Sequence, residues 1–261
     1  MNLTRAISIF NSFQLPAKEI SFVAKIDPRA LIFVSFAFIL SILTLPIDNP
    51  EKIIWFAIYP IIMSPLSGQT YGKIFRMSFS VLPFIIFIGI FNPIFDRREA
   101  FKIGDVIVTY GWLSFLTIII RGLLSMQALL LLIRTTGFIN ICNSLNSLGV
   151  PKILTTQLLL LYRYIALLMQ EVDTIHKAIQ SRGYGKKAFH LNVWVSLVGS
   201  LLIRTYEKSR RVYFAMISRG FNGAFHSTTK LKWRQADSIF CIAWIVLFVF
   251  LHFFDGDFLI F

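Results

Sequence analysis

The 261 residues include 56% hydrophobic and only 15% charged side chains, against about 25% charged in an ordinary soluble domain, and the mean hydropathy is +0.70. A soluble core of this size has no room for so much apolar surface, so the composition excludes a water-soluble globular protein and makes lipid part of the solvent. The net charge of +13 is the usual footprint of nucleic-acid binding, but most of it sits in residues 151–234, where fourteen basic against three acidic side chains interleave with apolar positions, and a nucleic-acid partner is not expected.

In chain order, the N-terminal stretch lacks the basic, apolar and small-residue succession of a cleavable signal peptide, which predicts that the first apolar run is retained as an anchor. Apolar runs at 30–45, 53–71, 77–95, 106–133 and 238–254 approach the ~20 residues that span a hydrocarbon core. Pro60, Pro65 and Gly68 predict a kink or a re-entrant shape in the second run. Arg121 interrupts the fourth. It reads either as a functional intramembrane charge or as a sign that the run is not one straight span, with the arginine reaching toward an interface.

Orientation follows from the basic residues of the short loops. Arg5, Lys18, Lys25 and Arg29 place the N-terminus in the cytoplasm, Lys73 and Arg76 mark a second inner turn, and the whole basic block lies inside. Asp48 and Glu51 lie outside, as does the tail with Asp255 and Asp257. The expected fold is an all-α polytopic membrane protein of about five transmembrane helices, with a cytoplasmic helical coupling domain inserted before the last span. Its parts are a membrane domain over 1–137, the coupling domain over 138–236, and a final span with an outward tail over 237–261.

The basic block has helical periodicity. Leu160, Tyr164, Leu167, Leu168, Glu171, Ile175, Ala178, Ile179 and Arg182 share one face, and Pro151 sits where a first helical residue belongs. A second helix is predicted over 205–219, with Thr205, Lys208, Val212, Ala215, Met216 and Arg219 on one face. Between them, residues 191–203 are apolar but too short to span, which predicts an interfacial or buried helix. Lys230, Lys232, Trp233 and Arg234 have the composition of a membrane-surface anchor ahead of the last span.

Within this block a pattern occurs twice, Ala178-Ile179-Gln180-Ser181-Arg182-Gly183 and Ala215-Met216-Ile217-Ser218-Arg219-Gly220. Helix capping alone accounts for either copy, since glycine supplies the left-handed position after a helix and a cation suits its C-terminus. Two copies on one basic segment suggest more. An arginine at an exposed helix tip presents a rigid fork of donors to a carboxylate in a partner's groove, and two such tips suggest two similar receiving sites.

Together with Ile26-Asp27-Pro28-Arg29, Phe91-Asn92-Pro93, Arg134-Thr135-Thr136, Leu148-Gly149-Val150-Pro151, Tyr162-Arg163-Tyr164 with Glu171, Arg204-Thr205-Tyr206-Glu207-Lys208 and the string from Arg211 to Gly223, the chain resembles the T components of energy-coupling factor transporters, and within them the CbiQ-type proteins of cobalt and nickel uptake. The resemblance implies a non-catalytic subunit of the prokaryotic cell membrane whose two coupling helices end in Ala-Arg-Gly-like motifs, each arginine docking on one of two ABC-type ATPase subunits. Carried over, the ATPase-coupling residues are Ser181, Arg182 and Gly183, and Ser218, Arg219 and Gly220, with serine where the commonest family form has alanine. It further implies that ATP and magnesium are bound by the partner ATPases and none by this chain, and that cobalt or nickel is recognised by a separate, CbiM-like membrane subunit. Vitamin cargo is the alternative.

Other chemistries are poorly supplied. His176, His190, His226 and His252 show no metal-ligand spacing, no GxxxxGK[ST] phosphate loop occurs, and Cys142 and Cys241 form no evident framework. A membrane enzyme acting on an anionic lipid would need convergent acids and bases that Glu171, Asp173 and Glu207 do not make. A self-sufficient channel would need a polar file through its spans.

Overall fold

The computed structural model describes residues 22–46, 50–96, 98–103, 106–181, 191–223, 225 and 231–253. They form helices α1 (Pro28–Thr44), α2 (Lys52–Leu66) and α3 (Tyr71–Phe95), a hairpin of strands β1 (Glu99–Ile103) and β2 (Val106–Thr109), and helices α4 (Tyr110–Thr136), α5 (Phe138–Ser147), α6 (Lys152–Ser181), α7 (Leu191–Ser218) and α8 (Gln235–Phe253). The all-α membrane architecture expected from the sequence is present, with one small antiparallel hairpin added. That hairpin shortens the expected run at 106–133: Val106-Ile107-Val108-Thr109 is β-branched throughout and takes strand geometry, and α4 begins only at Tyr110.

Among the described residues four stretches are long and apolar enough to cross a membrane: Tyr71–Phe95, Tyr110–Thr136, Lys152–Ile175 and Gln235–Phe253. The first two expected spans are shorter helices, Pro28–Thr44 and Lys52–Leu66. Their ends have local causes. Leu45 is extended ahead of Pro46. The α2 helix stops where Gly68 takes φ +69, with Gly68 N–H donating to Pro65 O and Gln69 N–H to Ser64 O, the paired bonds of a Schellman turn. The stretch Lys152–Ile175 falls inside the segment expected in the cytoplasm; it qualifies through a leucine-rich run at 158–161.

The contacts divide the described residues into two compact units, one of 22–141 with 231–253 and one of 142–225. In the first, α4 is the central helix, packed by α1, α2 and α3, while α8 lies along α1. The core is an aromatic cluster: Phe38 stacks on Tyr59 at 4.4 Å, Tyr59 meets Trp244 edge-on at 4.8 Å, and Phe38 and Phe248 lie 5.4 Å apart. Ring pairs of this kind contribute about 0.5–1.5 kcal/mol beyond burial. Glycines let α4 approach its neighbours. A Cβ on Gly111 would stand 2.5 Å from Asp96 O and 2.7 Å from Asn92 O, and one on Gly122 would meet Ile85 Cδ1 at 2.7 Å. Small residues at such contacts are the usual device of membrane helix packing.

The second unit is built on α6 and α7. Pro151 precedes α6 by one residue rather than opening it, and its carbonyl accepts from Leu154 and Thr155. The expected break between 191–203 and 205–219 is absent: α7 is one helix of 28 residues. Only Gly199 interrupts its propensity, and a single glycine costs a helix about 1 kcal/mol. Val195, Val198, Leu202 and Ile203, expected to be buried or interfacial, are exposed on this chain.

Candidate functional site

The second motif copy occupies the end of α7. Ser218 is its last helical residue, and its hydroxyl donates to Phe214 O at 2.9 Å. Gly220, at φ +81, sends its N–H to Ile217 O at 2.9 Å, and Phe221 N–H reaches Met216 O at 3.0 Å. These paired bonds make a Schellman cap, and the ring of Phe221 folds against Phe225 at 5.1 Å. Glycine is required here because other residues pay about 1–2 kcal/mol in the left-handed region. The cap fixes Arg219 as the residue between the last helical turn and the reversal, exposed together with Ser218 and Gly220.

Ser181 of the first copy is the last residue of α6, exposed, with its hydroxyl donating to Ala178 O at 3.0 Å. Arg182 and Gly183 lie outside the described residues.

The faces predicted from periodicity meet each other. A groove of about 370 Å³ is lined by Leu160, Tyr164, Leu167 and Leu168 of α6 and by Thr205, Lys208, Val212 and Met216 of α7, with Ser209 and Tyr213 beside them. Ion pairs close one end. Glu171 Oε1 accepts from Arg204 Nη1 at 3.3 Å, and its Oε2 lies 3.9 Å from Lys208 Nζ. Glu171 faces Arg204 and Lys208, and from there the groove runs back along α6 to Leu160 and forward along α7 to Met216, so the helices cross with opposite chain sense. Lys177 and Asp173 pair along α6 at 2.6 Å. Outside that groove, α7 exposes Val195, Val198, Leu202, Tyr206 and Ile217, an apolar stripe at helical spacing.

In the first unit Arg121 has a structural assignment. Its Nη2 donates to Leu45 O at 2.6 Å and to Pro46 O at 3.0 Å. It thus supplies the orphan carbonyls after α1 with a cation, the favoured charge at a helix C-terminus.

Asp237 escapes a reading that starts the last span at Ser238. It is 1% exposed. Its Oδ2 accepts Arg234 N–H at 2.7 Å and its Oδ1 accepts Asp27 N–H at 2.9 Å, while Asp27 caps α1 by accepting Arg29 N–H at 2.9 Å. One buried carboxylate thus joins the starts of α1 and α8. The sequence carried only part of the signal: an acid in the first helical turn can accept the N-cap N–H as the second residue of a capping box does, but Arg234 is not the Ser or Thr that opens one. Among the described residues, no three His, Cys, Asp or Glu side chains gather as a metal site.

Comparison with known proteins shows what the chain is similar to. A family model described as CbiQ, cobalt transport protein, matches residues 21–233. An uncharacterized protein of Methanocaldococcus jannaschii is 28% identical over 172 residues, 63% of this chain and 59% of the relative, so the chain spans less than two thirds of that protein. The energy-coupling factor transporter transmembrane protein EcfT of Leuconostoc gelidum subsp. gasicomitatum is 27% identical over 256 residues, 89% of this chain and 95% of the relative. Nickel permease LarQ of Lactiplantibacillus plantarum is 31% identical over 120 residues, 44% of each chain.

Proposed function

The chain belongs to the CbiQ family of cobalt transport proteins, multi-pass membrane components of transporters and not catalytic enzymes, and from that membership we propose that it is the transmembrane coupling subunit of an ATP-driven energy-coupling factor importer. In this reading two ABC-type ATPase subunits receive the ends of α6 and α7, a separate membrane subunit binds the cargo, and ATP with its magnesium stays on the ATPases. The N-terminus and the α6–α7 unit face the cytoplasm. The run Lys152–Ile175 then lies in the coupling unit rather than across the bilayer, a placement supported by exposed Arg163 and by Glu171 and Asp173 within it. The exposed stripe of α7 is the surface offered to the cargo-binding subunit.

The observation that carries the reading is the end of α7, an exposed arginine held between a long helix and a glycine reversal. A charged hydrogen bond from such a group contributes roughly 1.5–3 kcal/mol, enough for each contact to matter in assembly. A coupling element acts only through contacts that differ between two states of its partners, and helix ends docked on two ATPases that close on ATP and reopen after hydrolysis meet that requirement. In this reading the cargo is cobalt or nickel, supported by the family description and by the name of the nickel permease relative, with a vitamin as the alternative.

The test is the double variant Arg182→Glu with Arg219→Glu. It should remain in the membrane while losing ATPase co-purification and uptake of radiolabelled cobalt. Retained uptake would sink the reading.

A further inference from the structure

The crossing of α6 and α7 is held by charge at one point and barely by packing below it. Glu171 meets two cations of α7, one on each carboxylate oxygen, and a second, polar cavity of about 230 Å³ lies at this junction, lined by Leu168, Glu171, Arg204, Thr205, Glu207, Lys208 and Arg211. Toward Leu160 and Met216 the facing side chains leave the open apolar groove instead of a filled core. A groove of that kind fixes the distance between helices loosely and their angle hardly at all, because the ridges that set a crossing angle must interdigitate. A carboxylate engaging residues four apart on the partner helix does constrain the angle. Arg204 and Lys208 stand one turn apart along α7, so holding both resists rotation about the contact.

We propose that Glu171 is a positioning residue which sets the crossing angle of α6 and α7 by clamping Arg204 and Lys208, so that the two helix ends move as one lever. This rests on the coupling-subunit reading above. The lever arms make the angle consequential. Ser181 is ten residues beyond Glu171 and Arg219 fifteen beyond Arg204, or ~15 Å and ~22 Å at the helical rise. A change of ~10° at the crossing therefore displaces the ends by ~2.6–3.9 Å, about the length of a hydrogen bond. The side chains of Glu171 and Arg204 are 29% and 61% exposed, and pairs this open to water add little to folding stability. Losing the clamp should therefore spare the fold and disturb the angle.

The experiment uses the intact transporter and the full chain in detergent. Glu171→Gln should leave ATPase co-purification and ATP hydrolysis near wild type while lowering cobalt uptake at least fivefold. Reversing the whole clamp with Glu171→Arg, Arg204→Glu and Lys208→Glu should restore uptake to within about twofold, which a merely structural role for these residues would not produce. In the chain alone, spin labels on Ser181→Cys and Ser218→Cys should give a single narrow distance distribution that broadens with Glu171→Gln and narrows again in the fully reversed clamp; native Cys142 and Cys241 are buried and stay out of the labelling. Wild-type uptake or an unchanged distance distribution in Glu171→Gln overturns the clamp. A wild-type chain that retains no ATPase overturns the coupling-subunit reading itself, which the distance measurement does not depend on.

Discussion

Gly220 carries the sharpest single-residue expectation. At φ +81 and with no atom within 4 Å of the place a Cβ would take, alanine there is strained by conformation alone, at about 1–2 kcal/mol. The strain falls on an exposed helix end, so Gly220→Ala should melt within a degree or two of wild type yet retain about tenfold less ATPase, since 1.4 kcal/mol is a factor of ten in affinity. Asn, which tolerates the left-handed region, should recover most of it. Equal retention by the alanine variant would show that the cap does not position Arg219 for a partner. Asp237 behaves oppositely, because it is buried and bonded to two backbone donors. Asp237→Ala strands the buried N–H of Asp27 at about 1–3 kcal/mol and removes a cap from that of exposed Arg234, and a thermal melt in detergent should drop by several degrees. Asp237→Asn, which keeps one acceptor oxygen, should lose less. Burial also pushes the Cys142 thiol up, so its reactive thiolate is scarcer at neutral pH than that of an exposed cysteine.

Among elements, α1 and α7 differ in what ends or sustains them. The α1 helix finishes short of a full span and the carbonyls just after it are met by Arg121 from α4. Replacing that cation by Arg121→Met removes both bonds, and stability in detergent should fall by roughly 1.5–3 kcal/mol, the range for charged hydrogen bonds; an unchanged melt would return Arg121 to the list of functional intramembrane charges. The α7 helix runs through Gly199, whose Cβ position is open. Gly199→Ala should therefore raise stability by about 0.5–1 kcal/mol, visible as a higher melting temperature. Should uptake fall while stability rises, flexibility at Gly199 belongs to the working of the lever.

At the scale of the whole molecule, the proposed N-in and C-out arrangement predicts which loops face which solvent. In intact cells an impermeant maleimide should label Arg98→Cys, whose side chain is 86% exposed, and should reach Lys73→Cys only after permeabilisation; the reverse pattern would invert the topology. Membrane residence and helical class were determined by the sequence itself, because lipid leaves a helix no choice but to satisfy its own backbone, and long apolar runs declare that without reference to neighbours. The opposing faces of α6 and α7 were legible for a similar reason, since helical spacing alone puts Leu160, Tyr164, Val212 and Met216 in line. Where neighbours decide, the sequence was silent or misleading. The strand at Val106–Thr109 looked like the start of a span because β-branched residues are apolar in either geometry. The continuity of α7 overrode an apparent break, and the partners of Arg121, Asp237 and Glu171 lie 76, 210 and 33 positions away. Such pairings exist only once helices pack, so periodicity determined which surfaces this protein has, and the tertiary structure alone decided which charges hold them in place.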